Sequence, residues 1–146
     1  ERYIYLLEKC FVIFKLDPLS SNPRKLLASR KRKIYFYDLG VRAFLASQTD
    51  VDVAHNPQLG GIFENFCILE RKKMSLGNSE YYNSYYWRSP DTEIDYIEQK
   101  NGITNAYEFK WTKIIKKPSK LFTNQFREST FTSVNKNNYW NFLEQK

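Results

Sequence analysis

Two short alternating runs, TEIDYIEQ (92–99) and NAYEFKWT (105–112), flank the segment KNGIT, and this arrangement constrains the chain more than any other stretch. A period of two sends successive side chains to opposite faces of a strand, and the glycine-containing segment between the runs supplies a turn, so a β-hairpin is predicted. Tyr107, Phe109 and Trp111 then share one face, fit for a core, while Glu108 and Lys110 project together from the other. The turn brings Asp95 back toward them, and Glu93 shares the strand face of Asp95. Charged groups are thus expected to converge where a plain core strand would carry valine.

Two carboxylates at one point suit a hard cation such as Mg²⁺ or Mn²⁺, which takes oxygen ligands. An adjacent ammonium, Lys110, is placed to orient a water or to stabilise charge developing on a phosphoryl oxygen. The plainer alternative is a cross-strand ion-pair set on a solvated sheet face.

The rest of the chain reads as an α/β domain. IFENFCILERKKMSLG (62–77) has the broad apolar band of a packed helix, interrupted near its start by Glu64 and stopped by Gly77. SYYWRS (84–89) adds a strand before the hairpin, PSKLFTNQFRES (118–129) a helix opening on a proline, TFTSVN (130–135) a last strand and NYWNFLEQ (138–145) a closing helical turn. Toward the N-terminus, Tyr3 to Glu8 reads as helix and CFVIFKL (10–16) as strand. KRKIYFYD (31–38) reads as the returning strand, with Ile34 and Phe36 on one face and Tyr35 and Tyr37 on the other. Asp38 is suited to cap the short helix LGVRAFLAS (39–47). A helix and hairpin ahead of another helix suit a winged-helix remnant. SQTDVDVAHNPQLGG (47–61) has no sustained period and ends in Gly60 and Gly61, so it is expected to be a connecting loop. The division expected is a winged-helix-like segment over 1–55 and a core over 56–146.

With 146 residues, of which 42% are hydrophobic, the chain is long enough for one well-buried core. No apolar run approaches the roughly 20 residues that cross a bilayer, and no signal peptide is visible, so no membrane partner and a cytoplasmic address are expected. Cys10 and Cys67 lie in apolar segments, where a free cysteine behaves as a small buried hydrophobe, and a bridge is neither required nor excluded. With His55 the sole histidine, zinc and Cys-His chemistry lack ligands. The chain opens at Glu1 directly into RYIYLLEKCFVIFKL, which needs something to pack against, so a fragment of a longer protein is expected.

The 23 Lys and Arg against 16 Asp and Glu give a net charge of +7, a balance that favours polyanions such as DNA. Lys113, Lys116, Lys117 and Lys120 follow the hairpin and Arg88 precedes it, so all five are candidates to hold phosphates. A second basic cluster, RKLLASRKRK (24–33), falls on the N-terminal hairpin, where a wing reaching along a duplex would use it. Both clusters also read as ordinary solvated surface.

EID followed by the EFK of Glu108 to Lys110 resembles the signature of the PD-(D/E)XK nuclease superfamily, with Ile94 where its name has proline. The segments KIYFYDLGVRAFL, GGIFENFCILE, YYWRSPDTEIDYI and AYEFKW, in this order, are similar to the uncharacterised domain found C-terminal to a group of predicted prokaryotic AAA+ ATPases. The resemblance implies a restriction-endonuclease-like core, a mixed β-sheet flanked by helices. It also implies Mg²⁺ or Mn²⁺ held by Glu64, Asp95 and Glu108, with Lys110 as the catalytic lysine. DNA and an upstream AAA+ ATPase domain are the implied partners, and an oligomer stays open. The phosphate-binding pattern GxxxxGK[ST] is absent, so this segment is expected to hold no nucleotide. A nuclease-like fold that only docks DNA or a partner is the alternative function.

Overall fold

The computed structural model describes residues 2–20, 32–47, 56–77 and 81–144. In chain order its elements are α1 (Arg2–Lys9), β1 (Ile13–Pro18), β2 (Lys33–Phe36), α2 (Leu39–Leu45), α3 (Leu59–Gly77), β3 (Asn83–Arg88), β4 (Glu93–Lys100), β5 (Ile103–Phe109), α4 (Lys120–Gln125), β6 (Thr130–Val134) and α5 (Tyr139–Glu144). The architecture is α/β, a six-stranded mixed sheet in the order β2-β1-β3-β4-β5-β6 flanked by helices.

The charged hairpin forms the middle of this sheet. β4 and β5 pair antiparallel from Tyr96↔Tyr107 to Lys100↔Ile103. Their turn holds Asn101 at φ 52 and Gly102 at φ 81. Two successive positive φ values suit a tight hairpin turn whose twist matches the strands, and Asn-Gly is the pair that adopts them at least cost.

β1 and β2 pair antiparallel, and β1 runs parallel to β3 through Asp17↔Tyr85 and Pro18↔Tyr86. The N-terminal hairpin therefore continues the same sheet as the core strands. Its consequence for function is that β2 lies within reach of the central strands' charged groups.

Alternation divides the aromatic residues between two faces. On one, Phe63, Cys67, Ile68 and Leu69 of α3, with Phe142 and Leu143 of α5, bury against Phe14, Tyr35, Tyr86, Tyr96, Tyr107 and Phe109. On the other, Phe122 of α4 packs on Trp87, Ile94, Ile97 and Ala106. Each large apolar side chain buried in this way contributes about 1.5–3 kcal/mol relative to exposure. The Trp87 indole N–H donates to Gln125 Oε1 at 3.1 Å, so its polar edge is satisfied within the second layer.

Several boundaries differ from the sequence reading. β1 starts at Ile13, so Cys10 falls in the turn after α1 and is exposed, against the burial expected for it, while Cys67 is buried and both thiols are free. The apolar segment 10–12 turns there because Phe11 adopts φ 55, and the Val12 N–H closes back onto Leu7 O at 2.9 Å. α3 begins at Leu59, so Gly60 and Gly61 occupy its first turn instead of ending a loop. Asn56 sets that start: its Oδ1 accepts from the Gln58 N–H at 2.8 Å and its carbonyl from Leu59 N at 3.0 Å, enough to offset the poor helix propensity of glycine.

α4 is shorter than expected, 120–125, with Ser119 as its cap, accepting from Phe122 N at 3.2 Å. Asp38 caps α2 as expected, accepting from the N–H groups of Gly40 and Val41. A Cβ on residue 40 would stand 3.0 Å from that carboxylate, so Gly40 keeps the cap open. The basic stretch 24–31 and most of the connecting loop lie outside the described residues. No described helix is long and apolar enough to cross a membrane.

Candidate metal centre

Three elements bring acids to one place. α3 supplies Glu64, β4 supplies Glu93 and Asp95, and β5 supplies Glu108, just before its last residue Phe109, with Lys110 following. The position of Asp95 depends on an irregularity in its strand. Between Tyr85↔Ile97 and Trp87↔Ile94, two steps along β3 are matched by three along β4, so β4 carries one extra residue there. Such a bulge bends the strand and re-aims a side chain. Asp95 is 6% exposed, and its Oδ2 accepts from the Phe109 N–H at 3.0 Å, which fixes the carboxylate between β4 and β5.

At the centre of the acids stands a residue the sequence reading assigned to a basic surface cluster. Lys33, the first residue of β2, places its Nζ 2.9 Å from Glu64 Oε1, 2.5 Å from Glu93 Oε1 and 3.2 Å from Asp95 Oδ1. Tyr35 lies on the same strand face and donates its hydroxyl to Glu64 Oε1 at 2.6 Å. The ammonium also lies 5.7 Å from the centre of the Tyr86 ring. Alternation held the one usable signal: a Tyr35 turned inward turns Lys33 inward with it.

Lys110 sits on the other side of Asp95. Its Nζ is 2.7 Å from Glu108 Oε1 and 3.5 Å from Asp95 Oδ2. Glu108 leaves β5 on the face opposite Tyr107 and Phe109, so it flanks the cluster without touching Lys33. Arg88 closes the rim, 3.6 Å from Glu93 Oε2. Lys113, Lys116, Lys117 and Lys120 are all exposed on or beside the segment that follows β5.

Protonation follows from burial and this crowding. Burial, and then the charge of Asp95, raise Glu64 above the ordinary glutamate range, while Lys33 and Tyr35 pull it down. Glu108 is raised for the same two reasons, with Lys110 opposing. Burial disfavours the Lys33 ammonium, but Glu64, Asp95 and Glu93 outweigh it and hold the proton more firmly than in an ordinary lysine. Cys67, beneath the cluster, is pushed up by burial and then by Glu64, so its thiol stays protonated. That excludes it as a ready nucleophile.

The donors fit a hard divalent cation in kind. They are carboxylate oxygens from separate elements, and three of them already surround a stand-in cation, the Lys33 ammonium. Four carboxyl groups, Glu64, Glu93, Asp95 and Glu108, meet three cationic groups, Lys33, Lys110 and Arg88. As the side chains lie, no three His, Cys, Asp or Glu among the described residues stand close enough to hold a metal ion. The three oxygens stand 2.5–3.2 Å from the Lys33 nitrogen, longer than the roughly 2.0–2.1 Å Mg²⁺–oxygen contact.

Fold and site together define a mixed α/β domain with a carboxylate–lysine cluster at the bulged central strand. The chain belongs to the family described as a domain of unknown function (DUF4143), whose family model matches residues 59–138, more than half of its length. Residues 1–52 match a second domain of unknown function (DUF8612), so β2 with Lys33 and Tyr35 comes from one matched span and the acids from the other. Neither a curated protein nor a solved structure matches the chain.

Proposed function

We propose that the domain hydrolyses phosphodiester bonds of DNA with a divalent cation, in the manner of the PD-(D/E)XK nucleases, as part of an ATPase-linked cytoplasmic protein. One observation carries this reading: a helix acid, Glu64, and a bulged-strand acid, Asp95, turn oxygens toward the same cation, while a strand-end lysine, Lys110, approaches the other oxygen of Asp95. Glu64, Asp95 and Glu108 would hold Mg²⁺ or Mn²⁺. When bound, the ion supplies Lewis acidity toward the phosphoryl oxygen.

The chain's own groups do the rest. The Phe109 N–H keeps Asp95 oriented, so one of its oxygens faces the cluster interior. Lys110, 39% exposed at its side chain and 3.5 Å from Asp95 Oδ2, would orient the attacking water and offset charge developing on the phosphate. Arg88 and the lysines at 113, 116, 117 and 120 offer phosphate contacts along the approach, each adding salt-sensitive affinity.

The test is nicking of supercoiled plasmid at millimolar Mg²⁺ or Mn²⁺. Wild-type protein is expected to nick, and Asp95→Asn or Lys110→Ala to lower the rate by at least about 100-fold. Nicking that survives both substitutions would refute the assignment.

A second reading is a nuclease-like module that docks DNA or a partner without cutting. It is favoured by the same Lys33, which satisfies the acids without any bound ion. Salt-sensitive DNA binding by clean wild-type protein that leaves plasmid intact would select it.

A further inference from the structure

We propose that Lys33 is a built-in competitor of the metal: its ammonium occupies the position between Glu64, Glu93 and Asp95, and a divalent cation enters only as that side chain leaves. The inference rests on the metal-dependent reading above and adds to it a residue from the N-terminal hairpin.

The geometry leads there directly. Lys33 touches three carboxylates from two elements, and two of those acids, Glu64 and Asp95, are ones assigned to the metal. Oxygens that face an ammonium at 2.5–3.2 Å cannot at the same time close around a small divalent ion. An ammonium at that point would also repel the incoming ion in a partly buried setting, where charges are weakly screened. Competition therefore has both a steric and an electrostatic cause.

Access is controlled from outside the acids' own elements. Lys33 is on β2, which is held to the sheet through β1 and to α3 through a reciprocal pair between Phe36 and Asn65. The Phe36 N–H donates to Asn65 Oδ1 at 2.9 Å, and Asn65 Nδ2 donates to Phe36 O at 2.9 Å. Asn65 is the neighbour of Glu64, so one contact sets the distance between the lysine and the helix acid. Whatever shifts β2 along α3 would move the ammonium and open the cluster. Tyr35, two residues along the same strand, donates to the same Glu64 Oε1, so a shift of β2 would move both contacts together.

Removing the ammonium leaves the acids facing one another without a central charge. Lys33→Met is expected to lose thermal stability in EDTA and to regain it on addition of Mn²⁺. Its Mn²⁺ affinity, read from the free-ion EPR signal, is expected to exceed that of wild type by about tenfold or more. Lys33→Arg keeps the positive charge and is expected to bind as weakly as wild type.

Equal Mn²⁺ affinity in wild type and Lys33→Met would overturn the competition while leaving the metal site standing. Absence of Mn²⁺ binding in all three proteins would remove the metal reading itself, and this inference with it. A Lys33→Met chain unfolded in EDTA supports the proposal where Mn²⁺ refolds it, by circular dichroism, and counts against it where Mn²⁺ does not.

Discussion

Glu64 reaches the cluster only if α3 is held at a fixed rotation and height over β4, and the strongest clamp between those two elements is Arg71 on Glu98. Arg71 lies two helical turns beyond Glu64 on the same face of α3. Its Nε donates to Glu98 Oε1 at 2.8 Å, one terminal nitrogen to Oε2 at 2.9 Å, and the other to Leu143 O at 3.2 Å. The pair is buried, with side chains 8% and 4% exposed, beneath Tyr82 and Phe142. Glu98→Ala removes the carboxylate and leaves a guanidinium charge in the core. Loss of one partner from a buried pair costs about 3–5 kcal/mol, whereas replacing both by apolar residues of similar volume is often neutral or better. Glu98→Ala should therefore lower the melting temperature by roughly 10 °C or more in a chain of this size. The double variant Arg71→Met/Glu98→Leu should return to within about 1 kcal/mol of wild type. Urea unfolding of wild type, both single variants and the double variant gives the coupling directly. A Glu98→Ala cost below about 1 kcal/mol, or a double variant as unstable as the two single losses added, would refute the clamp.

Two further outcomes follow from charge. Glu64 and Glu108 hold their protons above the ordinary glutamate range, so the stability tied to those protons is present below that range and lost as pH rises through the raised values. Glu64→Gln has no such loss at its own position. Its melting temperature relative to wild type should be more favourable at about pH 7 than at about pH 4, and a constant difference in calorimetry would contradict the assigned shift. For DNA binding, replacing Lys113, Lys116, Lys117 and Lys120 by alanine should flatten the dependence of log affinity on log salt by about 0.9 for each lysine that meets a phosphate. An unchanged slope in fluorescence anisotropy would remove these lysines from the DNA path.

Much of the sheet was legible because the central strands obey a period of two, and the turn at Asn101 and Gly102 has the residue types its φ values require. Glu64 stood out as the single acid interrupting an apolar helical band, and the structure brings it to Asp95. Lys33 escaped notice because it ends a run of basic residues, and local pattern does not reveal that its strand lies beside the acids. That placement depends on long-range pairing of β1 with β3, which no period within either strand encodes. The bulge opposite Tyr86 was invisible for the same reason: an extra residue in a strand is defined only against its neighbour. Cys10 misled because apolar flanks predict burial, yet the chain reverses there at Phe11.

The most direct measurement is anomalous diffraction at the manganese edge from crystals soaked in Mn²⁺. The account predicts a peak bounded by the carboxylates of Glu64 and Asp95, with the Lys33 side chain turned away from it. A structure in which Lys33 keeps all three acids while manganese scatters only elsewhere would contradict it.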